Sequence, residues 1–272
     1  MSSFFVIKIN KKTFKIVLLC CAVLVGFSQF KHNTTMYRES GMTTIQEKPE
    51  KSIIRDQITD EVKQAHLQGK RVLTITLCEG YLGHEKELSK YGDVISMNTD
   101  QLTVWRMEDQ IRSTRFKNKV TAVCGDITTL EYDESKYDFV FVWYDFCGLK
   151  VAYESFNRGI NEEVKRQIAA RQKKQKIRIE FAVTFSAFPR QFASSEKAKR
   201  WALSTIKGLK VGDSTDRFAD LILENTSRRV EKLGYQCSKA FSYASIGGKM
   251  VTFFYSQDKK RKVREILNLS AA

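Results

Sequence analysis

Proline is scarce, with two in 272 residues, and hydrophobic residues make up 42% of the chain. Together these exclude disorder for the bulk of it. Six cysteines are present but none forms Cys-x-x-Cys, and there are only three histidines. No zinc site of ordinary ligand spacing can be drawn from them, and no metal is expected. No histidine stands where a Ser-His-Asp or Cys-His arrangement could be argued. Gly-x-x-x-x-Gly-Lys-Ser/Thr does not occur, which disfavours a kinase or GTPase, and the missing Gly-x-Gly-x-x-Gly disfavours a dinucleotide-binding oxidoreductase. Acid is in short supply: 46 Lys and Arg against 31 Asp and Glu leave a net charge of +15. Such a surplus attracts polyanions, so nucleic acid or an anionic membrane surface is a natural partner; the plain alternative is dispersed solubilising lysine.

What is there centres on Arg71 to Gly83, R-V-L-T-I-T-L-C-E-G-Y-L-G. A Val, Ile, Leu and Thr run enters an acid and two glycines, then a polar, helix-prone stretch. This predicts a strand, a tight turn and a helix start. A near-continuous apolar run is the mark of a parallel strand covered on both faces, and the ligand site of such a fold lies at the carboxyl end of the strand.

The first 35 residues stand apart. Lys8, Lys11, Lys12 and Lys15 precede fifteen uncharged residues, Ile16 to Phe30. As a helix they span about 22 Å, short of the roughly 30 Å hydrocarbon core. The segment reads as a signal-like stretch or a marginal anchor, so membrane contact through residues 16–30 is one expectation. A core element, or translation starting at Met36 or Met42, are the others. Residues 36–51 read as a linker, 52–257 as the folded domain and 258–272 as a basic tail. Cys78, Cys124, Cys147 and Cys237 read as reduced small apolar residues, which suits a cytoplasmic domain.

Along the domain, periodicity predicts helices over 52–68, 85–91, 101–116 (Leu102, Trp105, Met107 and Ile111 inward), 153–175, 194–209 and 216–233. Strands are predicted over 71–77, 93–97, 119–124, 137–144 and 177–186, with a hairpin of 235–244 and 250–256. Strands alternating with helices at this spacing imply an α/β, doubly wound, mostly parallel sheet of about seven strands with an antiparallel C-terminal hairpin.

That order resembles the class I, Rossmann-like S-adenosylmethionine-dependent methyltransferases, of which this chain reads as a divergent member from about Gln68 to Gln257. The resemblance implies that the first loop, Cys78-Glu79-Gly80-Tyr81-Leu82-Gly83, wraps the methionine end of S-adenosylmethionine. It implies that Asn98 or Asp100, after the second strand, holds the ribose hydroxyls. Gly125-Asp126-Ile127 matches the family's Gly-Asp, whose carboxylate meets the adenine amino group. Here the usual glycine pattern is reduced to two glycines and Thr74 replaces an acid common in the first strand.

After the fourth strand, Asp145-Phe146-Cys147-Gly148 keeps the acid and the aromatic of the family's Asp/Asn-Pro-Pro-Tyr/Phe but not its prolines. Asp145 can accept a hydrogen bond from a target amine or hydroxyl, and Tyr144 or Phe146 can stack on a base; the plain reading of Asp145 is a turn cap. The expectation is a methyltransferase acting on nucleic acid. Lys165, Arg166, Arg171, Lys173, Lys174, Lys176 and the 259–264 run would neutralise phosphates, or serve as solvated helix faces. The rival expectations are a catalytically degenerate protein of the same fold that binds nucleic acid or a partner protein, and a membrane-tethered or exported one.

Overall fold

The structure, a computed structural model, describes residues 49–78, 80–113, 119–146, 149–187, 196–245, 248–257 and 266–269. Helix α1 (Pro49–Leu67) opens it. Its apolar residues fall at helical spacing, and Ile54, Ile58, Val62 and Ala65 are buried on one stripe. That stripe lies against β1, β6 and α2. Burying each large aliphatic there is worth about 1.5–3 kcal/mol before entropy is subtracted.

The strands follow as β1 (Val72–Leu77), β2 (Asp93–Asn98), β3 (Val120–Cys124), β4 (Phe139–Asp145) and β5 (Arg178–Ser186), then β6 (Gln236–Ser245) and β7 (Gly248–Ser256). Between them come α2 (Gly83–Leu88), α3 (Gln101–Arg112), α4 (Leu149–Gln172), α5 (Glu196–Thr205) and α6 (Thr215–Glu231). The sheet order is β3-β2-β1-β4-β5-β7-β6, closed by a short β8 (Leu267–Leu269). β1 to β5 run parallel, and β7 is antiparallel to both β5 and β6. The expected α/β, mostly parallel sheet with an antiparallel terminal pair is therefore the observed fold.

Alternation along β4 divides the core in two. Phe139, Phe141 and Trp143 join the cluster under α1 and α3, whereas Val140, Val142 and Tyr144 join the cluster that includes Phe156 of α4 and Phe218 of α6. Successive side chains of a strand point to opposite faces, so a doubly covered strand needs apolar residues at every position. This is why the segment reads as an unbroken apolar run.

The structure departs from three expectations. Leu102 and Trp105 face out, 49% and 54% exposed, while Val104, Met107 and Ile111 are buried. The Asp100 side chain accepts from the Thr103 amide and starts the helix at Gln101, and the packing of that helix against β2 and β3 selects the stripe that is buried. The second concerns 258–272: Leu267–Leu269 pairs in parallel with Phe241–Tyr243 and makes an eighth strand rather than tail. The third is Tyr144, which has no exposed surface and stacks under Phe146 at 5.9 Å, so it offers no face to a base. Gly159 of α4 lies so close that a Cβ there would come 2.6 Å from the Tyr144 hydroxyl.

The N-terminal segment with its 16–30 stretch, Glu79, Cys147, Gly148 and the 259–264 run lie outside the described residues. No helix among the described residues is long and apolar enough to cross a membrane. No cluster of possible metal ligands occurs among them either.

Candidate functional site

Parallel strands place their carboxyl ends on one edge of the sheet, and the order changes direction between β1 and β4. A crevice at that switch point is where ligands of open α/β sheets bind. The loop after β1 is built on Cys78, whose thiol donates to the Tyr81 carbonyl and accepts from the Gly80 amide, both at 3.4 Å. Burial, helped by Glu85, pushes that thiol up to about 11, so it is a packing group rather than a nucleophile. Gly80 has a φ of +99°, the left-handed region that disfavours a side chain. Gln110 of α3 clamps the loop: its Nε2 donates to the Gly80 carbonyl at 2.6 Å and its Oε1 accepts from the Leu82 amide at 3.3 Å.

At the tip of β2, Asn98 donates from Nδ2 to the Cys78 carbonyl at 2.6 Å and accepts from the Asp100 amide at 2.8 Å. Asn98 thus ties two strand tips together. Asp100 caps α3 through one oxygen, Oδ2, which accepts from the Thr103 amide at 2.9 Å and hydroxyl at 2.6 Å. These bonds hold its carboxyl below the usual range.

After β3, Asp126 accepts from the Thr128 amide at 2.9 Å and lies 3.7 Å from Arg158 of α4. Ile127 beside it is buried. Asp126, Thr129, Arg158, Asn161, Lys165 and Leu233 line a cleft of about 690 Å³. Cys124 is exposed, with its thiol 3.8 Å from the Thr99 carbonyl.

β4 ends at Asp145, in the odd row with Phe139, Phe141 and Trp143, on the α1 side of the sheet. Its Oδ2 is 3.0 Å from Lys51 Nζ, and the two side chains are 15% and 28% exposed. Phe146 is half-buried on Tyr144. The basic run in and just after α4 is partly occupied: Arg166 stacks on Tyr132 at 4.8 Å and donates to the Leu130 carbonyl, Lys165 pairs with Glu162 and Lys173 with Glu134.

Two further buried groups escaped the sequence reading. His84 Nε2 lies 3.2 Å from the Arg55 carbonyl and 3.1 Å from the Thr59 hydroxyl, with the ring edge-on to Trp143. Burial first, then the charges of Arg55 and Lys51, push its pKa down to about 3, so it is neutral. Glu85 accepts from the Thr76 hydroxyl at 2.9 Å, and burial raises its pKa. Lys51 had one legible signal: it sits one turn before Ile54 on an inward stripe. Gln110 had none, because a glutamine on a polar helix face does not announce its partner.

A parallel block ordered 3-2-1-4-5, followed by an antiparallel seventh strand inserted before the sixth, defines the class I S-adenosylmethionine-dependent methyltransferase fold. The chain has that fold, with strand-tip acids at Asp100, Asp126 and Asp145. It matches no protein-family model and no curated protein. Among solved structures it is similar to the 4+2 cyclase SpnF, at 14% identity and a TM-score of 0.39, covering 69% of this chain and 60% of that one. It is also similar to a SAM dependent methyltransferase from Aquifex aeolicus, at 12% identity and a TM-score of 0.40, covering 74% and 88%. A third is the N-methyltransferase NodS from Bradyrhizobium japonicum in complex with S-adenosyl-l-homocysteine, at 9% identity and a TM-score of 0.41, covering 82% and 94%. The strand order by itself defines the fold.

Proposed function

We propose that the chain is an S-adenosylmethionine-dependent methyltransferase acting on nucleic acid, with transfer to an amine or hydroxyl held near Asp145. The observation that carries this reading is the placement of Asp100, Asp126 and Asp145 at the carboxyl tips of β2, β3 and β4, on one edge of a methyltransferase-ordered sheet.

The donor set fits the cofactor. Both capping bonds of Asp100 fall on Oδ2, and a carboxylate has roughly four acceptor sites, so capping and ribose binding are compatible. Asp126 spends Oδ1 on its turn, and its exposed carboxylate suits an amino group. Asn98 is already engaged on both sides of its amide, which favours Asp100 over it for the ribose. Gly80 and the loop clamped by Gln110 would hold the methionine end. S-adenosylmethionine supplies a methyl on a cationic sulfur; the protein has to align the acceptor and receive a proton where the nucleophile is weak. Asp145 is the group placed for the latter, once Lys51 yields one of its oxygens.

The charge of +15 supports nucleic acid as the acceptor. Surface pairs such as Lys165 with Glu162 are worth about 0–1 kcal/mol and exchange readily for phosphate. A cytoplasmic site for the folded domain fits such a substrate, and the 16–30 stretch would then tether it to a membrane.

A catalytically degenerate binding protein is the second reading, favoured by Asp145 being held by Lys51 and by the full burial of Tyr144. Calorimetric titration with S-adenosylmethionine decides between them. Heat of binding, followed by label transfer from the cofactor to RNA or DNA, supports the enzyme. Absence of heat at millimolar cofactor supports the degenerate protein.

A further inference from the structure

Lys51 stands where the inward stripe of α1 would ordinarily continue. Ile54, Ile58, Val62 and Ala65 carry that stripe into the core, and one turn earlier it reaches a lysine. A charge on such a stripe is costly unless it is paired. Lys51 is paired, to Asp145 at 3.0 Å. Its charge also acts on His84, which follows the β1 loop. The ammonium therefore lies beside the tip of β4, and its field reaches the first turn of α2, which follows the β1 loop; β1 and β4 flank the switch point of the sheet, where ligands of such folds bind.

This geometry matters for the ligand of the proposed function, on which the inference rests. The methyl donor carries a sulfonium charge, while the product left after transfer is a neutral thioether of nearly the same shape. An isolated carboxylate at the β4 tip would favour the cation, and an isolated ammonium would oppose it. We infer that Lys51 and Asp145 act as a compensated pair that sets how strongly the crevice distinguishes the sulfonium donor from the neutral product. Lys51 is thus a specificity-determining residue supplied by the helix before the first strand.

The test is a four-way cycle read by calorimetry as the ratio of dissociation constants for S-adenosylmethionine and S-adenosylhomocysteine, in full-length protein. Arg55, one turn on, also acts on His84 and is kept in every variant. Lys51→Met leaves Asp145 uncompensated and should move the ratio about fivefold towards the sulfonium, a size set by two charges several ångströms apart at a screened protein surface. Asp145→Asn should move it in the opposite direction, and the double variant should return close to the wild-type ratio. Lys51→Arg, which keeps the charge, should leave the ratio unchanged. Thermal melts report folding for each variant, and a methionine on an inward stripe is well tolerated. An unchanged ratio in all variants, shifts of the same sign in both single variants, or a folded Lys51→Met protein that binds neither ligand would overturn the inference while the proposed function stands. Wild-type protein that binds neither ligand would remove both.

Discussion

The side-chain amide of Asn98 donates to the carbonyl of Cys78 at 2.6 Å, joining the tip of β2 to the tip of β1. Its other end accepts from the Asp100 amide at 2.8 Å, so one residue sets both the cofactor-loop start and the α3 cap. Asn98→Asp places an acceptor against the Cys78 carbonyl. It should cost about 1–3 kcal/mol, as expected for a part-buried polar group that loses its partner. Urea denaturation measures the cost, and an unchanged midpoint would show that the tie is dispensable.

Asp100 joins two roles that can be separated. Serine also caps helices but has no carboxylate. Asp100→Ser should leave stability within about 0.5 kcal/mol and weaken S-adenosylmethionine binding, whereas Asp100→Ala should weaken both, with about 1 kcal/mol lost from the cap. Thermal melts and calorimetry on the same samples distinguish them. Equal cofactor affinity in all three proteins would move ribose recognition elsewhere.

Gly159 exists because Tyr144 fills the space above it. Gly159→Ala should destabilise by about 1–3 kcal/mol through overpacking. The Tyr144 hydroxyl is buried without a hydrogen-bond partner among the described residues. Tyr144→Phe should therefore be neutral or stabilising and should rescue part of the alanine defect. Additive effects of the two substitutions would contradict the contact.

His84 makes stability depend on pH. Its pKa is lowered to about 3 in the fold and is near 6.5 in the unfolded chain. The unfolded state therefore binds the extra proton first. The contribution is complete above about pH 6.5 and is lost as pH falls towards 3, with a slope of up to about 1.4 kcal/mol per pH unit. Denaturation midpoints from pH 7 to 4.5 should fall faster for the wild type than for His84→Gln, and parallel curves would exclude the effect.

Among the described cysteines, Cys124 is exposed while Cys78 and Cys237 are buried, with thiols pushed up to about 11 and about 12. Brief alkylation of native protein at pH 8, mapped by peptide mass, should mark Cys124 well before the other two. Labelling of Cys78 as fast as Cys124 would mean that the β1 loop opens on the timescale of the reaction.

Strand and turn chemistry is local, so the sequence carried the element order, the terminal hairpin and the placement of Cys78, Asn98, Asp126 and Asp145 at strand tips. Helix phase was less legible. Leu102 and Trp105 look inward by apolar character, yet the face that packs on β2 and β3 carries Val104, Met107 and Ile111, which leaves them exposed. Likewise an aromatic beside an acid suggests a stacking platform, but strand alternation points Tyr144 under α4.

By itself, then, the sequence determined which residues lie at the carboxyl edge of the sheet, because apolar runs ended by glycine and acid encode strands and their turns within a few residues. Only the tertiary structure decided what those residues touch. The hold of Lys51 on Asp145, the clamp of Gln110 on the Gly80 loop and the burial of Tyr144 against Gly159 join elements far apart in the chain. Periodicity tells which face a side chain takes; it does not tell which neighbour the folded chain brings to that face.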